Sequence, residues 1–414
     1  MMKKQRRRRS WQRLFIWSHV IGVVGFYLAL WLRTAPWHEE RVKQLPTKDA
    51  KMPTDDPLVS IIVPARNEEE NIRRCVASLL EQDYGHYEVL AVDDGSTDAT
   101  GRILDDLSAN HPYGHRLWVL RLRGLPRGWA GKTHAIHCGE QEASGEWLLF
   151  TDADTWHAPN ALRSAMKQAL QEKIDLLTLG TEQELPHFWD RVLMPMAYLG
   201  ISMLYPPVLV NDPTSPVAVA NGQFILIRRA AYELVGGYAR LDLRNTLLDD
   251  RDLARVVKAN GFTLRFLDGR DLVHVHMYKN FRDTWRGWRK NAYLGSRGGL
   301  PFVLLELIGL PSVTILPFLV PFFAWASLRK AGGLNALEAA LVTILETGSV
   351  AFYRDMLNKQ LSVPWYYTLT HPLAGAVFEG ILAQSALRIL THKGVDWRGR
   401  QYHSNQRQQD VPTA

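Results

Sequence analysis

Three acidic pairs stand out in this 414-residue chain: Asp93-Asp94, Asp152-Ala-Asp154 and Asp249-Asp250. The first two follow short apolar runs, residues 89–92 and 147–150, and so fall where strands would end. Each has a bland reading by itself. Asp-Gly-Ser-Thr-Asp makes a good turn and helix start, Asp152 and Asp154 suit a cap before the helix that Pro159 opens, and acids at 249–252 suit a helix amino terminus. Taken together they say more. Carboxylates gathered at one strand end repel unless a cation or donor compensates them, so a divalent metal is the natural partner. Hard oxygen ligands favour Mg2+ or Mn2+ over zinc. Lys132, which follows Gly128-Trp-Ala-Gly131, is a candidate phosphate contact, and the third pair would aim a carboxylate into the same cleft.

Such groups work only if strand ends lie side by side. Residues 58–63 (LVSIIV) read as a strand, and Ile72, Val76, Leu79 and Leu80 fall on one face of a following helix. Residues 89–92, 117–122 and 147–150 continue the alternation, which argues for an α/β, Rossmann-like and mostly parallel sheet. Ligands of such sheets bind outside the carboxyl ends of the strands. Residues 219–229 read as a strand with a polar entry, Asn221-Gly222-Gln223. The apolar stretch 185–210 fits either core or an interfacial helix. His274, His276 and the run Trp285-Arg-Gly-Trp288-Arg289-Lys-Asn291 fit either a membrane anchor or a closure over a diphosphate.

One competing pattern needs weighing. Gly128-Trp-Ala-Gly131-Lys132-Thr133 imitates the phosphate loop of a nucleoside triphosphatase, but Pro126 stands where that loop needs glycine and removes a backbone donor. No G-x-G-x-x-G occurs, which disfavours a dinucleotide oxidoreductase.

Composition sets the surroundings. With 46% hydrophobic and 22% charged residues the chain is not disordered, and Cys75 and Cys138 cannot form a disulfide framework. The net charge of +7 is matched by Lys3, Lys4, Arg6, Arg7, Arg8, Arg9 and Arg13, so it marks a basic arm and gives no reason to expect nucleic-acid binding. Residues 14–32 carry no formal charge and would reach about 28 Å as a helix, long enough to span a bilayer. Residues 301–328, 334–353 and 366–390 are further apolar runs, weakened by Glu306, Glu338, Glu346, Glu379 and Arg388. The expected organisation is an arm and membrane helix (1–54), a catalytic block (55–295), membrane helices (296–392) and a polar tail (393–414). By charge alone the arm belongs in the cytosol, although Arg33, Arg41, Lys43, Lys48 and Lys51 make the far flank basic too.

In order, the motifs are Val63-Pro-Ala-Arg-Asn-Glu68, Val92-Asp-Asp-Gly-Ser-Thr-Asp98, Gly131-Lys132, Asp152-Ala-Asp154, Gly222-Gln223, Asp249-Asp250 and residues 285–291. This set resembles the membrane-bound family-2 glycosyltransferases with a GT-A fold, over residues 57–295. It looks most like the branch acting on hopanoids, carotenoids and ceramides, whose tail is similar to Trp397-Arg-Gly-Arg400-Gln-Tyr402. The resemblance implies that Pro64, Arg66, Glu68, Asp93 and Asp94 hold the donor nucleotide and that Lys132 holds its phosphates. Asp152 and Asp154 would bind sugar and metal, with His276 a further candidate for the metal or leaving diphosphate. Asp250 would be the catalytic base, although the family more often has Glu-Asp than Asp249-Asp250; Gln223, Asp249, Trp288 and Arg289 would serve the acceptor or diphosphate side. Processive synthases of the family carry Gln-x-x-Arg-Trp, which residues 285–291 lack, so a polymerase is disfavoured. The implied activity is metal-dependent, inverting transfer from a nucleotide sugar, UDP-glucose first, to a hydroxyl of a membrane lipid or terpenoid. Such a protein would be multi-pass in the cell membrane, with its catalytic block in the cytosol where nucleotide sugars are made. The alternatives are a nucleoside triphosphatase and a non-catalytic nucleotide-binding scaffold.

Overall fold

A computed structural model describes residues 2–34, 56–278, 280–295, 300–329, 333–391, 395–397 and 400–402. Arg41, Lys43, Lys48 and Lys51 of the basic flank and residues 403–414 of the polar tail lie outside them. The chain forms two compact units, one of Met1–Ala35, Leu185–Leu204 and Tyr278–Ala414, the other of Pro36–Glu184 and Tyr205–Met277.

After helix α1 (Met2–Thr34) the second unit begins with β1 (Val59–Ala65), α2 (Ile72–Leu80), β2 (Tyr87–Asp93), α3 (Thr100–Asn110) and β3 (Leu117–Arg121). It continues with α4 (Gly131–Glu142), β4 (Trp147–Phe150), β5 (Thr155–His157), α5 (Ala161–Gln171), β6 (Leu176–Gly180) and β7 (Glu182–Gln183). Helix α6 (Phe188–Leu204) belongs to the first unit. The chain then returns through α7 (Pro207–Asn211), β8 (Ile225–Arg228), α8 (Arg229–Leu234), α9 (Asp249–Ala259), β9 (Leu264–Asp268) and β10 (Val273–Val275).

Seven strands form one sheet in the order β3-β2-β1-β4-β8-β6-β9. Its central strands are covered on both faces, which is why they read as continuous β-branched runs. On one face Ile61 and Val63 pack with Ile72, Cys75, Val76 and Leu79 of α2. On the other, Ile62 packs with Ile136 of α4, Phe150, Tyr238 and Leu253 of α9. The sheet is mostly parallel, as expected. The exception is β8, which runs antiparallel to both neighbours, with Phe150 opposite Ile225. That reversal has a use: the start of β8 falls at the carboxyl end of β4, so Asn221-Gly222-Gln223 enters the edge where ligands bind. A small sheet, β5-β10-β7, continues from the same edge.

The first unit is helical: α1 and α6 are joined by α10 (Phe281–Gly295), α11 (Leu300–Thr314), α12 (Leu316–Ser327), α13 (Ala336–Gln360) and α14 (His371–Leu390). A hairpin of β11 (Val395–Trp397) and β12 (Arg400–Tyr402) follows. Among the described residues, Trp11–Thr34 and Ala336–Gln360 are each long and apolar enough to cross a membrane, and α11 with α12 makes a third such stretch bent by 55°. Helices α1 and α13 run in the same direction. Arg13 meets Glu338 at 2.6 Å, His19 meets Glu346 at 2.8 Å, and Tyr27 packs on Tyr353.

Polar residues inside these helices answer a specific need. Pro317 has no N–H to give the carbonyl of Val313 four residues earlier; the Tyr27 hydroxyl donates to that carbonyl at 2.8 Å. His19 Nε2 donates to the neighbouring Ser312 carbonyl at 3.1 Å while its Nδ1 meets Glu346. Glu346, costly as a lone acid in an apolar helix, therefore serves to hold His19. The same device recurs in α6. Pro195 deprives the Arg191 carbonyl of its partner, and buried Arg354 of α13 donates to the Arg191 and Val192 carbonyls at 3.1 Å each. Arg354→Met should therefore cost about 1–3 kcal/mol for each carbonyl left bare. Adding Pro195→Ala restores a backbone donor, so thermal melting in detergent should show the double variant recovering part of the loss. Helix α6 itself buries Val192, Leu193, Met196 and Leu199 and exposes Ile201, Met203 and Leu204.

Candidate active site

Lys132 lies in the first turn of α4, behind a loop whose turn Gly128 makes with φ +81°. The Ala130 N–H donates to the Arg244 carbonyl at 2.8 Å, fixing where the helix begins. From there the Lys132 ammonium sits 2.8 Å from Asp152 Oδ1 and 3.0 Å from Asp249 Oδ2. Asp152 leaves the end of β4 in a turn that Thr155 closes, its hydroxyl donating to the Asp152 carbonyl at 2.8 Å. The Thr151 hydroxyl donates to the Gln223 carbonyl at 2.8 Å and so ties β4 to the entry of β8. Asp249 and Asp250 occupy the first turn of α9, where the helix dipole favours acids.

Gly222 is the point of closest approach. A Cβ there would meet Lys132 Nζ at 2.9 Å, Asp152 Oδ2 at 3.3 Å and Asp250 Oδ2 at 3.6 Å. Its N–H donates to Asp250 Oδ2 at 3.3 Å. Lys132, Gly222 and Asp249 also share a small recess with Pro64, Ile136, Phe150, Thr151, Ile225 and Tyr238. Gly222→Ala should keep the fold, since only flexible side-chain ends stand in the way, yet push Lys132 and Asp152 out of register. We expect unchanged thermal melting and a loss of transferase turnover of roughly 10²-fold, the scale of a 1 Å misplacement.

Charge crowding tunes the cluster. Burial, the Asp249 charge and Asp152 push the Asp250 carboxyl up to about 6, against the pull of Lys132. Burial and the Asp152 charge push Asp154 up to about 7. Burial alone would lower Lys132, but Asp152, Asp249 and Asp250 outweigh it and hold the ammonium well above its ordinary value. Such opposed shifts in one cleft mark a candidate functional site.

The other expected residues divide into groups. Asp154 lies next to the cluster, and its Oδ1 is buried with no hydrogen-bond partner among the described residues. The His276 N–H donates to the Asp154 carbonyl at 3.4 Å, which sets the two residues side by side. Among the described residues, however, no three His, Cys, Asp or Glu side chains gather as a ready metal cluster, so the set Asp152, Asp154 and His276 is not assembled. Asp152 instead turns an oxygen onto Lys132. Two carboxylates, one of them buried and unpartnered, still suit a hard cation that takes its remaining ligands from a diphosphate and water.

Asp93 and Asp94 stand at the end of β2, with Ala65 of β1 opposite Asp93. Asp93 Oδ1 accepts from the Ser96 N–H at 2.8 Å, and the Arg66 guanidinium donates to the Asp94 carbonyl. The Glu68 N–H donates to Thr100 Oγ1 at 2.8 Å, so this group is knitted into the β1 and β2 loops. Gln223 Oε1 accepts from the Thr181 hydroxyl and from Asn221 Nδ2 in a buried network. Trp288 and Arg289 belong to the helical unit, where Trp288 packs on Phe378 and Arg289 donates to Gln384 at 3.0 Å.

Nothing in the sequence marks Tyr238 as part of the recess. Tyr238 is fully buried, its hydroxyl has no hydrogen-bond partner among the described residues, and Asp249, Asp250 and Asp152 all raise its pKa after burial does. Its Gly236-Gly237-Tyr238 setting reads as an ordinary turn, so only the space it fills reveals it.

Residues 60–236 match the family described as Glycosyl transferase family 2. Over that segment the chain is similar to family-2 glycosyltransferases. The match spans the strand-end acids, Lys132 and Gly222. The chain is 24% identical to the 4,4'-diaponeurosporenoate glycosyltransferase of Staphylococcus aureus strain bovine RF122 / ET3-1 over 375 residues, covering 84% of this chain and 89% of that one. The protein of the same name from strain USA300 is 25% identical over 356 residues, with the same coverage. Among solved structures, mannosyltransferase PcManGT from Pyrobaculum calidifontis, in complex with GDP-Man and Mn2+, aligns at a TM-score of 0.52 and 20% identity. That alignment covers 88% of this chain and 99% of the other, and it supports the GT-A fold. The triphosphatase and scaffold readings are thereby set aside.

Proposed function

We propose that this glycosyltransferase moves a sugar from a nucleotide diphosphate sugar, UDP-glucose first among candidates, to a hydroxyl of a membrane lipid or terpenoid, with inversion at the anomeric carbon. The observation that carries this reading is the convergence of Lys132, Asp152, Asp249 and Asp250 around Gly222. A divalent cation at Asp152 and Asp154 would supply charge neutralisation to the leaving diphosphate. Lys132 adds a second positive charge for the phosphates. Asp250 takes the proton of the acceptor hydroxyl as that oxygen attacks, and its carboxyl near 6 is mostly ionised at neutral pH. Single displacement turns an α-linked donor into a β-glycoside. The relatives named for 4,4'-diaponeurosporenoate support a terpenoid acceptor, and the apolar helices α1 and α13 support delivery from a bilayer. The catalytic unit faces the cytosol on this reading, because nucleotide sugars are made there.

The test is transfer by the full-length protein in detergent, with radiolabelled UDP-glucose and other nucleotide sugars against a lipid extract. Label appearing in a lipid product, lost with EDTA, is the expected result. Label released only into water, or none moved from any donor, would overturn it.

A further inference from the structure

The ammonium of Lys132 sits among the carboxylates of Asp152, Asp249 and Asp250. It lies 2.8 Å from one oxygen of Asp152 and 3.0 Å from one of Asp249, while Asp250 stands across Gly222. Asp152 is thus held by a cation from the protein itself, and the described residues present no group of three acids or histidines ready for a metal. Asp154, two residues on, keeps a buried oxygen without a hydrogen-bond partner among the described residues. Lysine is suited to move: its flexible stem and compact charge can leave one anion for another, and the side chain is about one-third exposed, at 34%.

Resting on the reading that this site takes a nucleotide diphosphate, we propose that Lys132 is a built-in counterion that couples metal entry to donor entry. Without donor, its ammonium bridges Asp152 and Asp249 and competes with a divalent cation. An arriving diphosphate offers two or more negative oxygens and draws the ammonium away. Asp152 is then released to join Asp154 as a ligand, so metal and nucleotide bind as a unit. No bond is made or broken; the exchange is of ion pairs only. Lys132 is a positioning residue for the metal in this scheme as well as a phosphate contact. The coupling is reciprocal, so metal must raise nucleotide affinity by the same factor as nucleotide raises metal affinity.

Equilibrium dialysis of the full-length protein against a fixed concentration of free Mn2+ tests this without any sugar transfer. Wild type should hold little Mn2+ alone and gain about tenfold or more in affinity with UDP, or with GDP run in parallel. Lys132→Met should hold Mn2+ without nucleotide, about tenfold more tightly than wild type does, and lose most of the nucleotide effect. Lys132→Arg keeps the charge and should keep the wild-type pattern. Wild type holding Mn2+ equally well with and without nucleotide overturns the coupling by itself. So does a Lys132→Met protein of normal melting temperature that gains no Mn2+, or a Lys132→Arg protein that behaves like it. No retention of Mn2+ or nucleotide by any variant overturns both this coupling and the nucleotide-sugar reading.

Discussion

Asp250→Asn should lower transfer by roughly 10²–10⁴-fold, the usual contribution of a general base, while nucleotide-sugar binding persists. The substitution keeps the shape of the side chain. Asp250 Oδ2 accepts the Gly222 N–H and Oδ1 accepts the Arg251 N–H at 2.7 Å, and the amide oxygen can keep one of these bonds. What is lost is the ability to take a proton. The pH dependence carries the same information. Since Asp250 is held up to about 6, kcat/KM of wild type should fall tenfold per pH unit below that value, and the Asn variant should lose this limb. Stability should move the other way. A carboxyl raised in the folded state costs stability when ionised, so the variant should melt above wild type at pH 8 and show no advantage near pH 4. A merely structural Asp250 would give the reverse: transfer retained and melting lowered.

Removal of divalent metal is the second large effect. EDTA should abolish transfer by two to three orders of magnitude or so, the several kcal/mol that a metal supplies to a leaving diphosphate, with Mn2+ or Mg2+ restoring it. Asp154→Ala should give a comparable loss that excess Mn2+ does not repair. The reason is specific. Asp152 is shared with Lys132 at 2.8 Å, whereas Asp154 Oδ1 is buried with no hydrogen-bond partner among the described residues, so the protein compensates Asp154 less than Asp152. Rates after metal removal and repletion, in wild type and Asp154→Ala side by side, provide the check.

Much of this site was legible because its signals are local. A strand end followed by Asp152-Ala-Asp154, a helix opening on Asp249-Asp250, and Gly131-Lys132 at the start of α4 each announce their place in the chain. The direction of β8 was not legible, since Ile-Leu-Ile-Arg has the same pattern read either way along a sheet. Yet that direction brings Gly222 to the acids. Asp93 illustrates the opposite limit: its carboxylate holds the Ser96 N–H, the turn role that its sequence also allowed. In the helical unit, Glu346 reads as a charge that weakens an apolar run, and nothing in the sequence marks Arg354. Their partners, His19 and the carbonyls beside Pro195, lie 327 and 162–163 residues away, beyond any periodicity.

The shared direction of α1 and α13 constrains how the chain can thread a bilayer. For a chain in which both cross, the intervening polypeptide must make an odd number of passes, which the bent pair α11–α12 provides where it acts as a single broken span. The amino terminus and the turn ahead of Ala336 then emerge on one face. Epitopes fused to Met1 and inserted ahead of Ala336 would accordingly be reached by antibody from the same side.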